Sequence, residues 1–266
     1  MSEVEVLHWN PSRIPGKVGK VLAPVCGHVD NFGDLLGPKI VRALALQLGI
    51  DTSRTARSTR LLAVGSIVKL ARSGDVVWGA GINGKSVGTE GDYAGVDVRA
   101  VRGPLTARWL RDRGADVPDV YGDPGLLAST LWPETSRRIV TRDYTIIPNI
   151  HDLAMYRDHP NTMSPRRSFT DIRSRILASD LVIGSSLHAI VIAESYGIPA
   201  RLLRSETEPP FKYEDYYLGS GRSTFRVADS VCQALRLGGE KLPEWDAQAL
   251  TDAFPSELWS SFPTVR

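Results

Sequence analysis

The sequence predicts an α/β fold in which helices cover both faces of parallel sheets, and two observations support this prediction. Short apolar, β-branched runs alternate with helical patterns along almost the whole chain, as parallel strand–helix–strand units require. The chain has 266 residues, of which 42% are hydrophobic and 23% charged, which suits about two globular domains. We therefore expect two Rossmann-like domains, residues 1–135 and 136–266, with a ligand-binding cleft between them.

The N-terminal half is predicted to contain four strands and three helices. Apolar residues spaced by about 3.6 positions run from Asp34 to Leu48, and Gly49 ends that helix. A further helix begins near Pro124, because proline is accepted in a first turn. The predicted elements are, in order, strand Val4–Trp9, helix Asp34–Leu48, strands Leu61–Val64, Asp75–Trp78 and Val96–Val101, and helices Gly103–Arg113 and Pro124–Leu131.

A polar segment, Pro133–Arg142, is predicted to link the two halves of the chain. Beyond it the alternation of strands and helices resumes. The predicted elements are strand Tyr144–Ile147, helix Phe169–Ala178, strand Asp180–Gly184, helix Leu187–Tyr196, strand Ala200–Leu203 and helices Val227–Leu237 and Asp246–Phe254. We expect the last helix to pack back on the N-terminal domain.

Charge and composition exclude several classes of protein. A net charge of +2 is too small for a dedicated nucleic-acid-binding protein. The 25 arginines and 7 lysines suit an anionic substrate, although a coding bias towards arginine would produce the same counts. The first residues do not resemble a secretory signal, and the apolar runs are shorter than the roughly 18 residues of a membrane span. Cys26 and Cys232 lie far apart without metal-site spacing, which fits a reducing compartment and predicts no metal site. Together these features predict a soluble, cytoplasmic protein.

The segment from Ala178 to Ala200 contains the clearest candidate for catalysis. Its strand is followed by a turn at Ser185 and Ser186, and the helix that begins at Leu187 has His188 in its first turn. Backbone N–H groups and the helix dipole favour an anion there, and they lower the pKa of a nearby imidazole. His188 is therefore a candidate general acid or base, although a capping serine beside a hydrogen-bonded histidine would give the same pattern.

Arg102 and Asp123 are two further candidates at the starts of helices. Arg102 follows a strand and precedes Gly103, so its guanidinium is predicted to bind an anionic substrate; a structural salt bridge is the alternative. Asp123 precedes Pro124, and it is either a catalytic carboxylate or only a helix cap.

Two glycine-containing loops complete the set of candidate motifs. In VDNFGDLLG, Asn31 and Asp34 flank a tight turn that either shapes a ligand-binding loop or only caps the next helix. The run WGAGIN, Trp78–Asn83, follows a strand, but no convincing helix follows it as a dinucleotide fingerprint requires. P-loop, HExxH and GxSxG motifs do not occur in the sequence, which removes support for the common kinase, zincin and lipase classes.

The motifs NFGD, WGAGIN, VRGPLTA, GDPGLL and SSLHAIVIAESYGIPA occur in an order that resembles the polysaccharide pyruvyl transferase family, from about Asn31 to Tyr217. The resemblance implies a two-domain fold similar to GT-B glycosyltransferases. It also implies transfer of the enolpyruvyl unit of phosphoenolpyruvate onto sugar hydroxyls of a cell-surface polysaccharide, with formation of a cyclic ketal. His188 matches the family's histidine, and Arg102 matches the arginine of its VRG motif.

The same resemblance implies the partners. Phosphoenolpyruvate is the donor, no cofactor is needed, and the acceptor is a lipid-linked or polymeric saccharide. The protein is expected to associate peripherally with a membrane assembly complex. A nucleotide-sugar glycosyltransferase of the GT-B type is the alternative enzyme. A catalytically degenerate binding protein of polysaccharide assembly is the alternative that is not an enzyme.

One position departs from the family pattern. Many members have arginine where this chain has Ser186, so the donor's charges need another cation, from Arg201, Arg204 or Lys212. Arginine is the better candidate, because its fork matches carboxylate and phosphate oxygens. We expect His188 and Asp123 to be catalytic and Arg102→Lys to weaken donor binding by about 1 to 3 kcal/mol. The other predicted substrate-binding residues are Asn31, Asp34, Ser185, Ser186, Leu187, Arg204 and Lys212.

Overall fold

Alternating apolar runs build two parallel sheets in this protein. The computed structural model describes residues 4–10, 29–53, 55 and 58–259. In the described chain the N-terminal sheet has the order β1 (Val4–Val6), β2 (Thr59–Leu62), β3 (Val76–Trp78), β4 (Asp97–Ala100). The C-terminal sheet has the order β5 (Arg142–Ile146), β6 (Ser179–Gly184), β7 (Ala200–Leu202). Neighbouring strands are parallel throughout, which confirms the predicted α/β class.

Helices connect the strands and cover the sheets. Within the described residues they are α1 (Leu36–Gln47), α2 (Pro104–Arg111), α3 (Ala128–Leu131), α4 (Phe169–Leu177), α5 (Leu187–Ser195), α6 (Phe211–Gly219), α7 (Val231–Leu237) and α8 (Ala247–Asp252). The predicted helix Pro124–Leu131 is divided, because a 3-10 turn at Pro124–Leu127 precedes α3. Of these described helices, none is long and apolar enough to cross a bilayer.

Helix α6 was not predicted from the sequence. Its buried side chains are Tyr213, Asp215, Tyr216 and Tyr217, so the helix has no stripe of aliphatic residues that a 3.6-residue period would reveal. Tertiary contacts stabilise it instead. The phenol of Tyr213 donates a hydrogen bond to the carbonyl of Ser185 at 2.7 Å, which fixes α6 beside the turn that follows β6.

Helix α5 lies where the two sheets meet. Seven of its nine residues are buried, and it packs against β6, β7, α4 and the 3-10 turn at Pro124–Leu127. A helix that is apolar on all sides is typical of a protein interior. One apolar core therefore extends from Leu36 and Ile40 of α1, through α5, to Val182 of β6. Complete burial of each such side chain contributes about 1.5 to 3 kcal/mol.

Two glycines allow helices α2 and α6 to approach closely. A Cβ added to Gly103 would overlap the backbone carbonyl of Asp215, and one added to Gly219 would overlap the carbonyl of Arg102. These positions are backbone-to-backbone contacts, which a larger residue would force apart. Gly103 and Gly219 therefore hold the VRG segment directly against α6.

The C-terminal helix α8 packs on the N-terminal sheet. The indole N–H of Trp78, in β3, donates a hydrogen bond to the carbonyl of Leu250 at 2.8 Å. The ring of Trp78 also meets Phe254 edge to face, with 5.0 Å between ring centroids. Trp78 is fully buried by these contacts.

Candidate active site

A cavity of about 270 Å³ opens where strands of both sheets end. Its lining residues follow the carboxyl ends of β1, β2 and β3 in the N-terminal sheet and of β5, β6 and β7 in the C-terminal sheet. This is the edge at which open α/β sheets bind ligands. The lining consists of Trp9, Asn31, Asp34, Ser66, Ile67, Lys69, Leu70, Asn83, Lys85, Ser86, Asn149, Ile150, His151, Ser186, Leu187, His188, Glu208 and Lys212.

His188 reaches this cavity from the first turn of α5. Its Nε2 is buried and has no hydrogen-bond partner among the described residues. Burial lowers the pKa of His188 to about 3, and the positive charges of Lys212 and Arg102 add to this effect. The imidazole is therefore neutral near pH 7, and its Nε2 is not engaged by another group of the described residues.

The two serines of the preceding turn have different roles. Ser185 is buried, and its hydroxyl donates a hydrogen bond to Asp152 at 2.6 Å while accepting one from the backbone N–H of Asn149 at 3.1 Å. Ser186 lines the cavity together with Leu187, and its hydroxyl forms no capping bond to α5. The first N–H groups of an α-helix lack partners within the helix, so this terminus offers donors to an anion.

Lysines supply the positive charge of the cavity. Lys212, in the first turn of α6, is largely buried and lies 2.9 Å from the carboxylate of Glu208. Lys85 pairs with the other oxygen of the same carboxylate at 2.6 Å. Burial lowers the pKa of Lys212, and Glu208 opposes that effect. Burial acts to raise the pKa of Glu208, but Lys212, Lys85 and Asn83 outweigh it and lower the value to about 2.

Asn31 and Asp34 line the cavity from the turn before α1. The amide of Asn31 donates a hydrogen bond to the carboxylate of Asp34 at 2.8 Å. Burial raises the pKa of Asp34, while Asn31 and Lys212 act to lower it. Both residues therefore present polar groups to a ligand in the cavity.

Arg102 is placed beneath the cavity and does not line it. Its guanidinium pairs with Asp215 of α6 at 3.0 Å, and it donates hydrogen bonds to Ser66 at 2.9 Å and to the carbonyl of Ile82 at 2.7 Å. The exposed fractions of the two charged side chains are 1% and 0%. These contacts match the salt-bridge alternative for Arg102, and they connect α2 to α6.

Asp123 is placed outside the cavity lining as well. Its Oδ1 accepts a hydrogen bond from the N–H of Gly125 at 2.9 Å, so it caps the 3-10 turn as one of its two interpretations predicted. Its Oδ2 is buried and has no hydrogen-bond partner in the described part of the chain. Burial raises the pKa of Asp123 to about 6.

Of the three cations expected to replace the missing arginine, the structure brings only Lys212 to the cavity. Arg201 is buried and pairs with Glu240. Arg204 is exposed and pairs with Asp229 at 2.6 Å on the surface. The prediction that an arginine supplies the missing cation was therefore wrong, because both arginine side chains pair with carboxylates outside the cavity lining.

Several lining residues were not predicted from the sequence. Asn83 and Lys85 follow the carboxyl end of β3, and their position after a glycine-rich loop was a usable signal. Asn149 and His151 follow β5 in the same way. Glu208 pairs with Lys212 four positions later, but its other two partners, Asn83 and Lys85, lie more than 120 positions away and left no local signal.

These groups together suit a small, strongly anionic ligand that undergoes proton transfer. The cavity combines lysines, a helix N-terminus and a neutral imidazole whose buried Nε2 has no partner among the described residues. No group of three or more His, Cys, Asp or Glu side chains in the described residues is arranged to hold a metal ion.

Comparison with known proteins identifies relatives of this chain. The family model of polysaccharide pyruvyl transferases matches residues 31–206. An uncharacterized protein of Acanthamoeba polyphaga mimivirus is 25% identical over 201 residues, which are 70% of this chain and 68% of the viral protein. A crystal structure of a functionally uncharacterized protein from Klebsiella pneumoniae has a similar fold, with a TM-score of 0.51 at 10% identity. That match covers 86% of this chain and 94% of the Klebsiella chain.

Proposed function

Because the chain belongs to the polysaccharide pyruvyl transferase family, we propose that it transfers the enolpyruvyl unit of phosphoenolpyruvate onto two hydroxyls of a sugar. The product is a cyclic ketal on a precursor of a cell-surface or exopolysaccharide. The observation that carries this proposal is His188, which lines a cavity that also contains Lys212 and the N-terminus of α5, and whose buried Nε2 has no partner among the described residues. We also propose that the two sheets belong to two Rossmann-like domains in a GT-B-like arrangement, with this cavity as their cleft.

Donor binding depends on compensation of about three negative charges. Lys212 and Lys85 supply full positive charges, and the terminus of α5 supplies about half a charge together with N–H donors. The hydroxyl of Ser186 adds a further donor where many relatives carry an arginine. These groups offset part of the donor's charge, and lysine does so as a point charge, without the planar fork of an arginine.

The reaction needs proton transfer at three atoms. Addition of a proton to C3 of the enol makes C2 electrophilic, and in the same step the first sugar hydroxyl attacks C2 and loses its proton. The bond between C2 and the phosphate oxygen breaks, phosphate leaves, and the second hydroxyl closes the ring and loses its proton. His188 starts neutral, so it takes the proton of the first hydroxyl and, as an imidazolium stabilised by the bound phosphate's negative charge, delivers that proton to C3. The proton of the second hydroxyl leaves with the phosphate.

The acceptor is proposed to approach from outside the cavity. A volume of about 270 Å³ suits one small donor and only the reacting end of a saccharide. A lipid-linked or polymeric acceptor would therefore remain largely in solvent or at a membrane-associated assembly complex. No nucleic acid, metal or cofactor has a part in this scheme.

Phosphate release tests the proposal directly. The purified protein is incubated with phosphoenolpyruvate and a panel of lipid-linked or free oligosaccharides, and phosphate and ketal are measured. We expect release only with an acceptor, and a loss of about 100-fold or more in a folded His188→Ala variant. Stabilisation by nucleotide sugars but not by phosphoenolpyruvate would favour the glycosyltransferase alternative. Tight saccharide binding without turnover would favour a binding protein.

A further inference from the structure

The carboxylate of Glu208 is held by three donors that line the cavity. Its Oε1 accepts a hydrogen bond from Lys85 at 2.6 Å, and its Oε2 accepts from Lys212 at 2.9 Å and from the amide of Asn83 at 2.9 Å. Only 7% of the Glu208 side chain is exposed. Both oxygens of one planar group are therefore matched by separate donors, as in a binding site for a carboxylate.

Hydrogen bonds hold the segment that carries Glu208 against loops of the C-terminal sheet. The hydroxyl of Ser205 accepts hydrogen bonds from the N–H groups of Thr207 and Glu208 at 3.2 and 3.0 Å. Thr207 donates a hydrogen bond to the carboxylate of Asp152 at 3.0 Å. Glu208 reaches from this side to Asn83 and Lys85, which follow the N-terminal sheet, so its carboxylate bridges the cavity.

We propose that Asn83, Lys85 and Lys212 form the subsite for the donor's carboxylate, and that Glu208 occupies this subsite while the cavity is empty. The proposal rests on the proposed function for the identity of the donor. One carboxylate replaces another, so the three donors remain paired, and Glu208 is released towards solvent beside the exposed Lys85. The phosphate is then left for the N-terminus of α5, beside His188.

This arrangement makes Glu208 an internal competitor of the donor. The apparent affinity for a ligand falls by the fraction of protein whose subsite is free, so an occupied subsite weakens donor binding. Removal of the competing charge strengthens the binding of ligands that have a carboxylate. A ligand that has only a phosphate uses the other subsite and gains little.

Isothermal titration at pH 7 tests the proposal with phosphoenolpyruvate, pyruvate and inorganic phosphate as probes. We expect Glu208→Gln to bind phosphoenolpyruvate and pyruvate at least about fivefold more tightly, with phosphate binding unchanged. Glu206→Gln is the matched control, because this exposed carboxylate lies two positions earlier in the same segment; it should change none of the three affinities. Adding Lys85→Met to Glu208→Gln should remove the gain.

Equal strengthening of all three ligands by Glu208→Gln would overturn the proposal, because it would show only a change in the general field of the cavity. Weaker binding of all three would overturn it as well and make Glu208 a positioning residue for Lys212. If Glu208→Gln does not fold, Lys85→Met alone decides, since its side chain is 48% exposed. That variant must weaken pyruvate and phosphoenolpyruvate binding about fivefold but not phosphate binding.

The test separates this inference from the proposed function. Pyruvate and inorganic phosphate undergo no transfer, so their binding reports the subsite whether or not the protein is a pyruvyl transferase. A protein that binds pyruvate in the expected pattern but releases no phosphate from phosphoenolpyruvate would refute the function and leave the subsite standing.

Discussion

Gly33 lies directly against the imidazole of His188: a Cβ built on Gly33 would be 2.8 Å from Cγ of the ring and closer still to Nδ1. Gly33 belongs to the turn before α1, and His188 belongs to the first turn of α5. The contact therefore joins the two sheets' loops at the proposed catalytic group. The ring of His188 can occupy its position because residue 33 has no side chain.

Gly33→Ala should displace the imidazole while leaving the fold intact. A misplacement of about 1 Å costs on the order of 100-fold in rate, so we expect a loss of that size in phosphate release. Gly88→Ala is the matched control, because nothing lies within 4 Å of a Cβ at that position. Full activity in a folded Gly33→Ala protein would show that the ring is not held in place by this contact.

His188 should make the stability of the protein depend on pH. Burial lowers the pKa of His188 to about 3 from an unfolded value near 6.5, so the unfolded state binds the proton first. The stability that the protein gains from keeping this imidazole neutral is complete above about pH 6.5, and it is lost as the pH falls towards 3. Urea denaturation should show that wild type loses about 2 to 3 kcal/mol more than His188→Gln between pH 7 and 4.5. Parallel pH curves for the two proteins would contradict the buried, neutral imidazole.

Arg102→Lys should reduce the stability of the protein rather than act directly on donor binding. Lysine cannot replace the guanidinium that pairs with Asp215 and also bonds to Ser66 and Ile82, and disruption of a buried pair costs about 3 to 5 kcal/mol. Arg204→Lys is the control, because its pair with Asp229 is exposed and should change stability by less than about 1 kcal/mol. Wild-type stability together with weakened donor binding in Arg102→Lys would restore the donor-binding role that the VRG motif suggested.

Asp123→Asn should stabilise the protein at high pH. Burial raises the pKa of Asp123 to about 6, so the contribution of its protonated form is present below pH 4 and is lost as the pH rises through 6. Asparagine keeps the oxygen that caps Gly125 and cannot ionise. The free energy of unfolding of the variant relative to wild type should rise between pH 4 and 8 by on the order of 2 kcal/mol. Thermal denaturation of both proteins across this pH range measures it. A constant difference would show that Asp123 does not change its protonation over that range.

Local signals in the sequence were enough for the strands and for the turn that holds His188. The run that becomes β6, the serine pair and the apolar helix α5 are consecutive, so their pattern fixes the position of the histidine. Pairings between distant residues carry no such pattern. Arg102 pairs with Asp215, which lies 113 positions later in the sequence, on a helix whose buried residues are mostly tyrosines. The sequence therefore identified Arg102 as special without revealing what it binds.

The bond between Trp78 and Leu250 has a consequence for the order in which the chain folds during synthesis. The two residues are 172 positions apart, so Trp78 is synthesised long before Leu250, whose carbonyl accepts the hydrogen bond of its indole. At ribosomal speeds of about 5 to 20 residues per second, that interval lasts on the order of 10 s. During it, the indole N–H of Trp78 lacks its acceptor and the ring lacks its contact with Phe254. Completion of α8 covers the indole, so burial of Trp78 depends on a segment that is synthesised last among these partners.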